Sequence, residues 1–316
     1  MKRFQITFLL AAAAVMASAQ QQNFDNVQLQ MLHVQGNVYM LAGAGGNTTV
    51  QIGKQGVLLV DTQFGPLVPR MIAEIRKLST GHIDYIINTH VHPDHVGGNE
   101  AFALANPRDS RSTERDPLRP LRIIAHENVL NRMTKPVTGN ETPPAQPGLP
   151  TDEYFTKSKD MSFNGEGVVL YHEPKAHTDG DSIVFFRASD VISTGDIFTP
   201  EGYPFIDLER GGSVQGEIAA LDHILELAIP LKTQEGGTYI IPGHGRICDE
   251  ADLVEYRDMI VIVKDRVQDM IKKGMTLEQI KAAKPTEDWD GRFGKQANWT
   301  PDMFVEAVYK GLTAKK

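Results

Sequence analysis

The chain of 316 residues has a single cysteine, Cys248. An internal disulfide is excluded, so even in an oxidising compartment the fold must be held by its core. An excess of basic residues is also missing, with 32 Lys and Arg against 40 Asp and Glu and a formal net charge of −8. An acidic surface repels phosphate backbones, which argues against nucleic acid as a partner. Beyond the first residues there is no apolar run long enough to span a bilayer, and no repeat of solenoid period. With 41% hydrophobic residues, what remains is an ordinary globular composition, enough for one large α/β domain and an appendage.

The N-terminus carries the one short apolar run. Met1-Lys2-Arg3, then Phe8 to Met16, then Ala17-Ser18-Ala19 follow the charged, apolar and small-residue order of a secretory signal peptide. Residues 1–19 are expected to be removed before Gln20, leaving a periplasmic or secreted protein with no stable membrane insertion. Its apolar stretch is shorter than the ~20 residues a span needs. Processing takes away Lys2 and Arg3 and no acidic group, which moves the charge from −8 by two, to −10.

One dense string stands out. His90-Val91-His92-Pro93-Asp94-His95 puts three imidazoles and a carboxylate into six positions, a metal-binding pattern far sharper than a lone glycine-rich loop. Pro93 would break a helix interior, so the string is expected on a loop. Ile83, Tyr85, Ile86 and Ile87 read as the buried strand that delivers it, and Gly97-Gly98 as the turn that leaves it. Imidazole and carboxylate suit zinc, with iron or manganese also compatible.

Upstream, Val27 to Leu41 reads as a hairpin turning at Gly36-Asn37, and Asn47 to Ile52 and Gly56 to Val60 as strands. The last of these ends in Asp61, a carboxylate leaving the core, which is either a loop organiser or a group behind a metal ligand. Val68, Met71, Ile72, Ile75 and Leu78 fall at helical spacing. Downstream, an Arg-rich segment from Asn106 to Arg122 reads as a solvated loop or a substrate-facing flap, and the Pro-rich run Thr134 to Pro150 as a crossing beside a cleft. His126 and His223 read as structural, and Cys248 as a buried spectator.

The second half repeats one pattern three times: an apolar run, a glycine and a candidate ligand. Val168-Val169-Leu170 leads to His177, Val191-Ile192-Ser193-Thr194-Gly195 to Asp196, and Tyr239-Ile240-Ile241-Pro242-Gly243 to His244. Strands of an α/β sheet present functional groups at their carboxyl ends, so these loops are expected to converge on one cleft. Helical patterns follow at Val214 to Leu231, Ala251 to Lys272, Thr276 to Ala283 and Asp302 to Leu312.

Seven candidate ligands result: His90, His92, Asp94, His95, His177, Asp196 and His244. Seven exceed one tetrahedral site, and two metals sharing a carboxylate account for them. In this HxHxDH string and the later ligands in their order, the chain resembles the metallo-β-lactamase superfamily over nearly all of its mature length. The resemblance implies an αββα sandwich over residues 20–248, with residues 249–316 as a C-terminal helical extension packed on the core. It implies two metals, expected as zinc, with His90, His92 and His177 on the first, Asp94, His95 and His244 on the second, and Asp196 bridging. Asp61 matches the superfamily's strand-end aspartate that supports the ligand loop.

The expected chemistry is attack of a metal-bridging hydroxide on an acyl bond of a small-molecule ester, lactone or thioester, with Asp94 as the catalytic proton handler. Asp196 argues for that class, since true metallo-β-lactamases usually carry cysteine or serine there. The export signal points instead to a secreted β-lactamase, which is kept as an alternative. Tyr203-Pro204-Phe205-Ile206-Asp207 with Gly211-Gly212-Ser213 resembles secreted hydrolases of the superfamily associated with quinoprotein systems. A second alternative is an iron-dependent redox protein of the same fold, and a non-catalytic binding protein would need a site with missing ligands. Oligomeric state is not legible.

Overall fold

The computed structural model describes residues 24–105, 120–135, 145–231 and 236–314. The expected signal peptide, nearly all of the Arg-rich segment and the centre of the Pro-rich run lie outside these residues. The first seven strands form one sheet in sequence order: β1 (Gln30–Gln35), β2 (Val38–Ala42), β3 (Thr48–Gly53), β4 (Gly56–Val60), β5 (Ile83–Ile87), β6 (Arg122–His126) and β7 (Asp152–Tyr154). β1 to β4 run antiparallel through tight turns, and β4 to β7 run parallel. Parallel neighbours need crossovers, here supplied by α1 (Val68–Arg76), α2 (Pro93–Val96), α3 (Asn99–Ala105) and α4 (Glu127–Thr134).

A second sheet contains β8 (Ser158–Phe163), β9 (Glu166–His172), β10 (Ser182–Phe186), β11 (Val191–Ser193) and β12 (Tyr239–Ile241), ordered β12-β11-β10-β9-β8. α5 (Val214–Leu227) crosses between β11 and β12, and α6 (Glu250–Lys272), α7 (Leu277–Ala282), α8 (Glu287–Phe293) and α9 (Pro301–Thr313) complete the chain.

Alternation along each strand dictates the layering. In β4, Leu58 and Val60 face the second sheet, joining Tyr85, Ile87, Val168, Leu170, Val184 and Ile241, while Val57 and Leu59 face outward onto Met71, Ile75 and Phe102. A strand buried on both faces reads as a continuous apolar run, as Gly56 to Val60 does. The outer face of the second sheet, with Ile183, Ile192 and Ile240, packs on Leu221 and Ile224 of α5, Tyr256, Ile260 and Val263 of α6, and Phe304 and Val308 of α9. The result is the expected four-layer αββα sandwich with C-terminal helices on its second outer face. Each such fully buried side chain contributes about 1.5–3 kcal/mol.

Several elements differ from the sequence-based expectation. Asp94 and His95 lie on the one-turn helix α2 rather than an open loop, because Pro93 occupies a first-turn position, where its missing N–H has no helical partner to lose. α5 ends at Leu227, four residues before Leu231, ahead of Pro230. β10 and α8 were not anticipated: β10 is a five-residue run without polar alternation, and α8 is dominated by Asp, Glu and Gly. Among the described residues no helix is long and apolar enough to cross a membrane.

Candidate metal centre

The ends of β4, β5, β11 and β12, with the β9–β10 connection, meet at one edge of the sandwich. Asp61 leaves β4 in the left-handed region at φ 61°, which an aspartate tolerates and most residues resist. This turn aims its carboxylate at the loop after β5. Oδ1 accepts from Thr89 N at 2.8 Å, and Oδ2 accepts from Thr89 Oγ1 at 2.6 Å and from His95 Nδ1 at 2.7 Å. Asp61 thus organises the loop and stands behind His95, both roles left open by the sequence.

Outward hydrogen bonds set the histidine tautomers. The Thr89 hydroxyl proton goes to Asp61, so His90 Nδ1–H donates to Thr89 Oγ1 at 3.0 Å and its Nε2 lone pair faces the site. His177 Nδ1–H donates to the Phe205 carbonyl, and His92 Nε2–H donates to Asp207 Oδ2 at 2.9 Å. His92 Nδ1 and His177 Nε2 then confront each other at 2.8 Å. Two lone pairs converging at that distance require a proton or a cation between them.

Asp207, at the end of the Tyr203–Asp207 motif, is a contributor that the sequence alone does not reveal. It also accepts from Arg210 N at 2.9 Å and Nη1 at 2.8 Å, so its orientation is held from both sides. A lone aspartate on a loop 115 positions from its histidine leaves no spacing signal to read.

Asp196 sits between two groups of histidines. Its Oδ2 is 3.9 Å from His90 Nε2 and 3.8 Å from His177 Nε2, while its Oδ1 is 3.1 Å from His95 Nε2 and 3.4 Å from His244 Nε2. Asp94 Oδ2 joins the second group, 3.3 Å from His244 Nε2. All seven candidate ligands are therefore brought together, as two clusters of compact donor atoms: His90, His92, His177 and Asp196, and Asp94, His95 and His244. Asp61, His90 and His95 also lie close, but the Asp61 oxygens are already taken by Thr89 and His95. His126 and His172 stay apart from this set, stacked on each other at 3.5 Å. Cys248 is buried under α6, its thiol pushed up to about 12 by burial and by Asp252, the state of an inert spectator.

The donors fit a metal. His90 Nε2, His95 Nε2 and Asp196 Oδ1 are buried without a hydrogen-bond partner, a costly arrangement unless a cation occupies the space between them. Burial and the neighbouring imidazoles hold His90 well below its ordinary pKa, and burial with His92 lowers His177 to about 4. Both stay neutral, as metal ligation needs. Burial opposes charge on His95 and His244 as well, but the Asp196 carboxylate outweighs it, raising His95 and lifting His244 to about 9. The same pairing holds Asp196 and Asp94 below the usual carboxylate range against the pull of burial.

Close backbone approach completes the centre. Gly243 runs so near Asp196 that a side chain there would start 2.0 Å from Oδ1. The Asn47 side-chain amide donates to the carbonyls of Pro242 and Gly245, both at 3.0 Å, tying the β2–β3 loop of the first sheet to the His244 loop of the second. A cleft of about 510 Å³ opens over Asp94, Asp196 and His244. Its far wall is Phe205, Gln296, Asn298 and Trp299, so the segment before α9 closes the site from the C-terminal side.

Fold and site together define an αββα sandwich with a histidine- and aspartate-lined candidate metal centre at its edge. The chain belongs to the metallo-beta-lactamase superfamily, whose sequence pattern matches residues 41–244. It is 24% identical over 268 residues to a linear primary-alkylsulfatase from Pseudomonas sp., a match covering 72% of this chain and 47% of that protein. The chain thus spans about half the length of the curated relative it matches. A stereoselective inverting sec-alkylsulfatase from Pseudomonas sp. aligns with a TM-score of 0.61 at 16% identity, over 89% of this chain and 50% of that one. A metallo-beta-lactamase from Pontibacter korlensis aligns at 0.56 and 14% identity, over 74% of this chain and 99% of that one. At these identities the structural likeness establishes the fold.

Proposed function

We propose that the protein is an exported, dinuclear zinc hydrolase that cleaves an acyl bond, as an ester, lactone or thioester, in a small molecule. The observation that carries the reading is the division of Asp196, one oxygen toward His90 and His177 and the other toward His95 and His244. A shared carboxylate between two donor sets is what a two-metal site needs. When bound, two cations held by His90, His92 and His177 and by Asp94, His95 and His244 would bring a water's pKa toward neutrality and offset charge developing on the cleaved group.

The protein's own groups account for the rest. The Asp94 side chain is 27% exposed and lines the cleft, which suits it to orient the attacking water and accept its proton. That proton passes to the leaving alcohol or thiol, so one water and one ester yield one carboxylic acid and one alcohol. The Gln296 and Asn298 amides offer hydrogen bonds to the polar part of a substrate, while Phe205 and Trp299 exclude water.

A second reading, hydrolysis of a sulfate ester, is supported by the alkylsulfatase likenesses. Metal analysis followed by a panel of carboxylic esters, lactones, thioesters, alkyl sulfates and β-lactams tests both. Two zinc ions and acyl hydrolysis are expected, with β-lactams slow because aspartate stands at position 196. Alkyl sulfates as the sole substrates would replace the acyl reading, and one iron without zinc would replace hydrolysis by redox chemistry. Asp94→Asn should lower kcat about 10²-fold or more, the scale of general acid–base catalysis, with a smaller loss of metal. An unchanged kcat would remove Asp94 from the mechanism. N-terminal sequencing of the exported protein should begin at Gln20.

A further inference from the structure

Beside the metal cleft lies a groove of about 410 Å³ between residues 205–210 and α9. Its apolar lining is Phe205, Ile206, Leu208, Trp299, Met303 and Ala307. Phe205 and Trp299 line both cavities, so this aromatic pair stands between groove and cleft. The two rings meet edge to face at 4.6 Å and 89°, and the indole N–H donates to the Pro204 carbonyl at 3.0 Å. This wall is held in one orientation. Phe205 in turn lies 5.8 Å from the His92 ring and 5.6 Å from the His177 ring, centroid to centroid.

The groove leaves Phe205 and Met303 each 41% exposed in a concave, apolar setting, where contact with an apolar group gains free energy. Its polar rim is internally neutralised: Arg210 pairs with Asp207 at 2.8 Å, and Lys310 with Glu306 at 2.8 Å. With these cations already paired and Glu209 also on the rim, an anionic occupant has little to gain. The volume accommodates roughly a dozen non-hydrogen atoms at ~30 Å³ each.

Resting on the acyl-hydrolase reading above, we propose that the substrate is an amphiphile with a medium-length hydrocarbon tail. Its scissile group sits at Asp94, Asp196 and His244 and its tail passes over the exposed face of Phe205 into the groove, where Met303 helps set chain-length preference. The seating is by continuity: the groove begins at the same aromatic pair that bounds the reacting centre.

The test is a series of p-nitrophenyl esters from two to twelve carbons on the zinc-loaded full chain. kcat/KM should rise about three- to fourfold per methylene until the groove is full, the value of burying each CH2, with the change carried by KM. Met303→Glu should flatten that slope. An equal loss on the two-carbon and ten-carbon esters, or no slope in the unaltered protein, would overturn the proposal. A binding measurement separates the groove from the reaction. Trp289→Phe leaves Trp299 as the one indole, and titration with the neutral decan-1-ol should shift its emission saturably, an effect removed by Met303→Glu. Saturable binding without cleavage of any ester would sink the acyl reading and leave the groove standing. Ester cleavage without slope or saturable binding would do the reverse.

Discussion

Asp207 and Glu217 represent opposite uses of a buried carboxylate. Asp207 is 6% exposed and fully engaged by His92 and Arg210, which presents His92 Nδ1 to the site. Groups that orient a metal-ligating histidine are worth 10- to 100-fold in metal affinity. Asp207→Ala is therefore expected to weaken zinc binding by about that factor in a chelator competition, while the circular dichroism spectrum stays native. Glu217 on α5 is fully buried, and neither of its oxygens has a hydrogen-bond partner. Burial, with the carboxylates of Asp181 and Asp196 nearby, raises its pKa well above the ordinary value. An acid with a raised folded-state pKa binds more protons folded than unfolded, so its share of stability is present below the unfolded pKa and lost as pH rises toward the folded one. Glu217→Met should stabilise the protein by about 1–3 kcal/mol near neutrality, the cost of an unpaired buried polar group, and by less at pH 4. Urea unfolding at the two pH values measures this, and equal stability of the two proteins at pH 7 would contradict it. Neither residue was legible as a contributor. A ligand string such as His90 to His95 concentrates its chemistry within six positions, whereas Asp207 acts alone on a histidine 115 positions away and Glu217 is set apart only by its burial.

At the scale of elements, strands were easier to read than the walls of the site. β4 and β5 are buried on both faces, and runs such as Val57 to Val60 announce this directly. The Gly-flanked ends of β11 and β12 marked Asp196 and His244 for a similar reason, since a backbone that must pass close to a ligand needs glycine. The cleft wall at Gln296, Asn298 and Trp299 has no such pattern. It exists only because α9 docks on α6 and α7 through Phe304, Val305 and Val308, and docking is a tertiary fact. Thr300 caps α9, accepting from Met303 N at 3.3 Å, so the segment before the helix is positioned by the helix. Phe304→Ala should cost about 3–5 kcal/mol by thermal or chemical unfolding. It should also loosen the Trp299 wall, raising KM for the ten-carbon ester more than it lowers kcat; an effect on kcat alone would argue against the wall.

In the whole molecule, the candidate donor set joins the two sheets. His90, His92, Asp94 and His95 follow β5 of the first sheet, and His177, Asp196 and His244 follow β9, β11 and β12 of the second. A ligand bound only by the folded form stabilises it by mass action, about 2.7 kcal/mol at a hundred times its dissociation constant. Removing the metal with a chelator should therefore lower Tm, and re-adding zinc should restore it; a Tm indifferent to both would deny the centre its place between the sheets.

The Asn47 clamp carries this further, into the order of events as the chain is made. A chain synthesised only as far as β7 holds the HxHxDH string and nothing from the opposite side. The last donor, His244, is fixed by an amide 197 positions earlier, and that bond forms only when the two halves have met. Four histidine and aspartate side chains are only part of the donor set, and all seven come together only in the closed sandwich. Full metal affinity is therefore expected late, after both halves have folded.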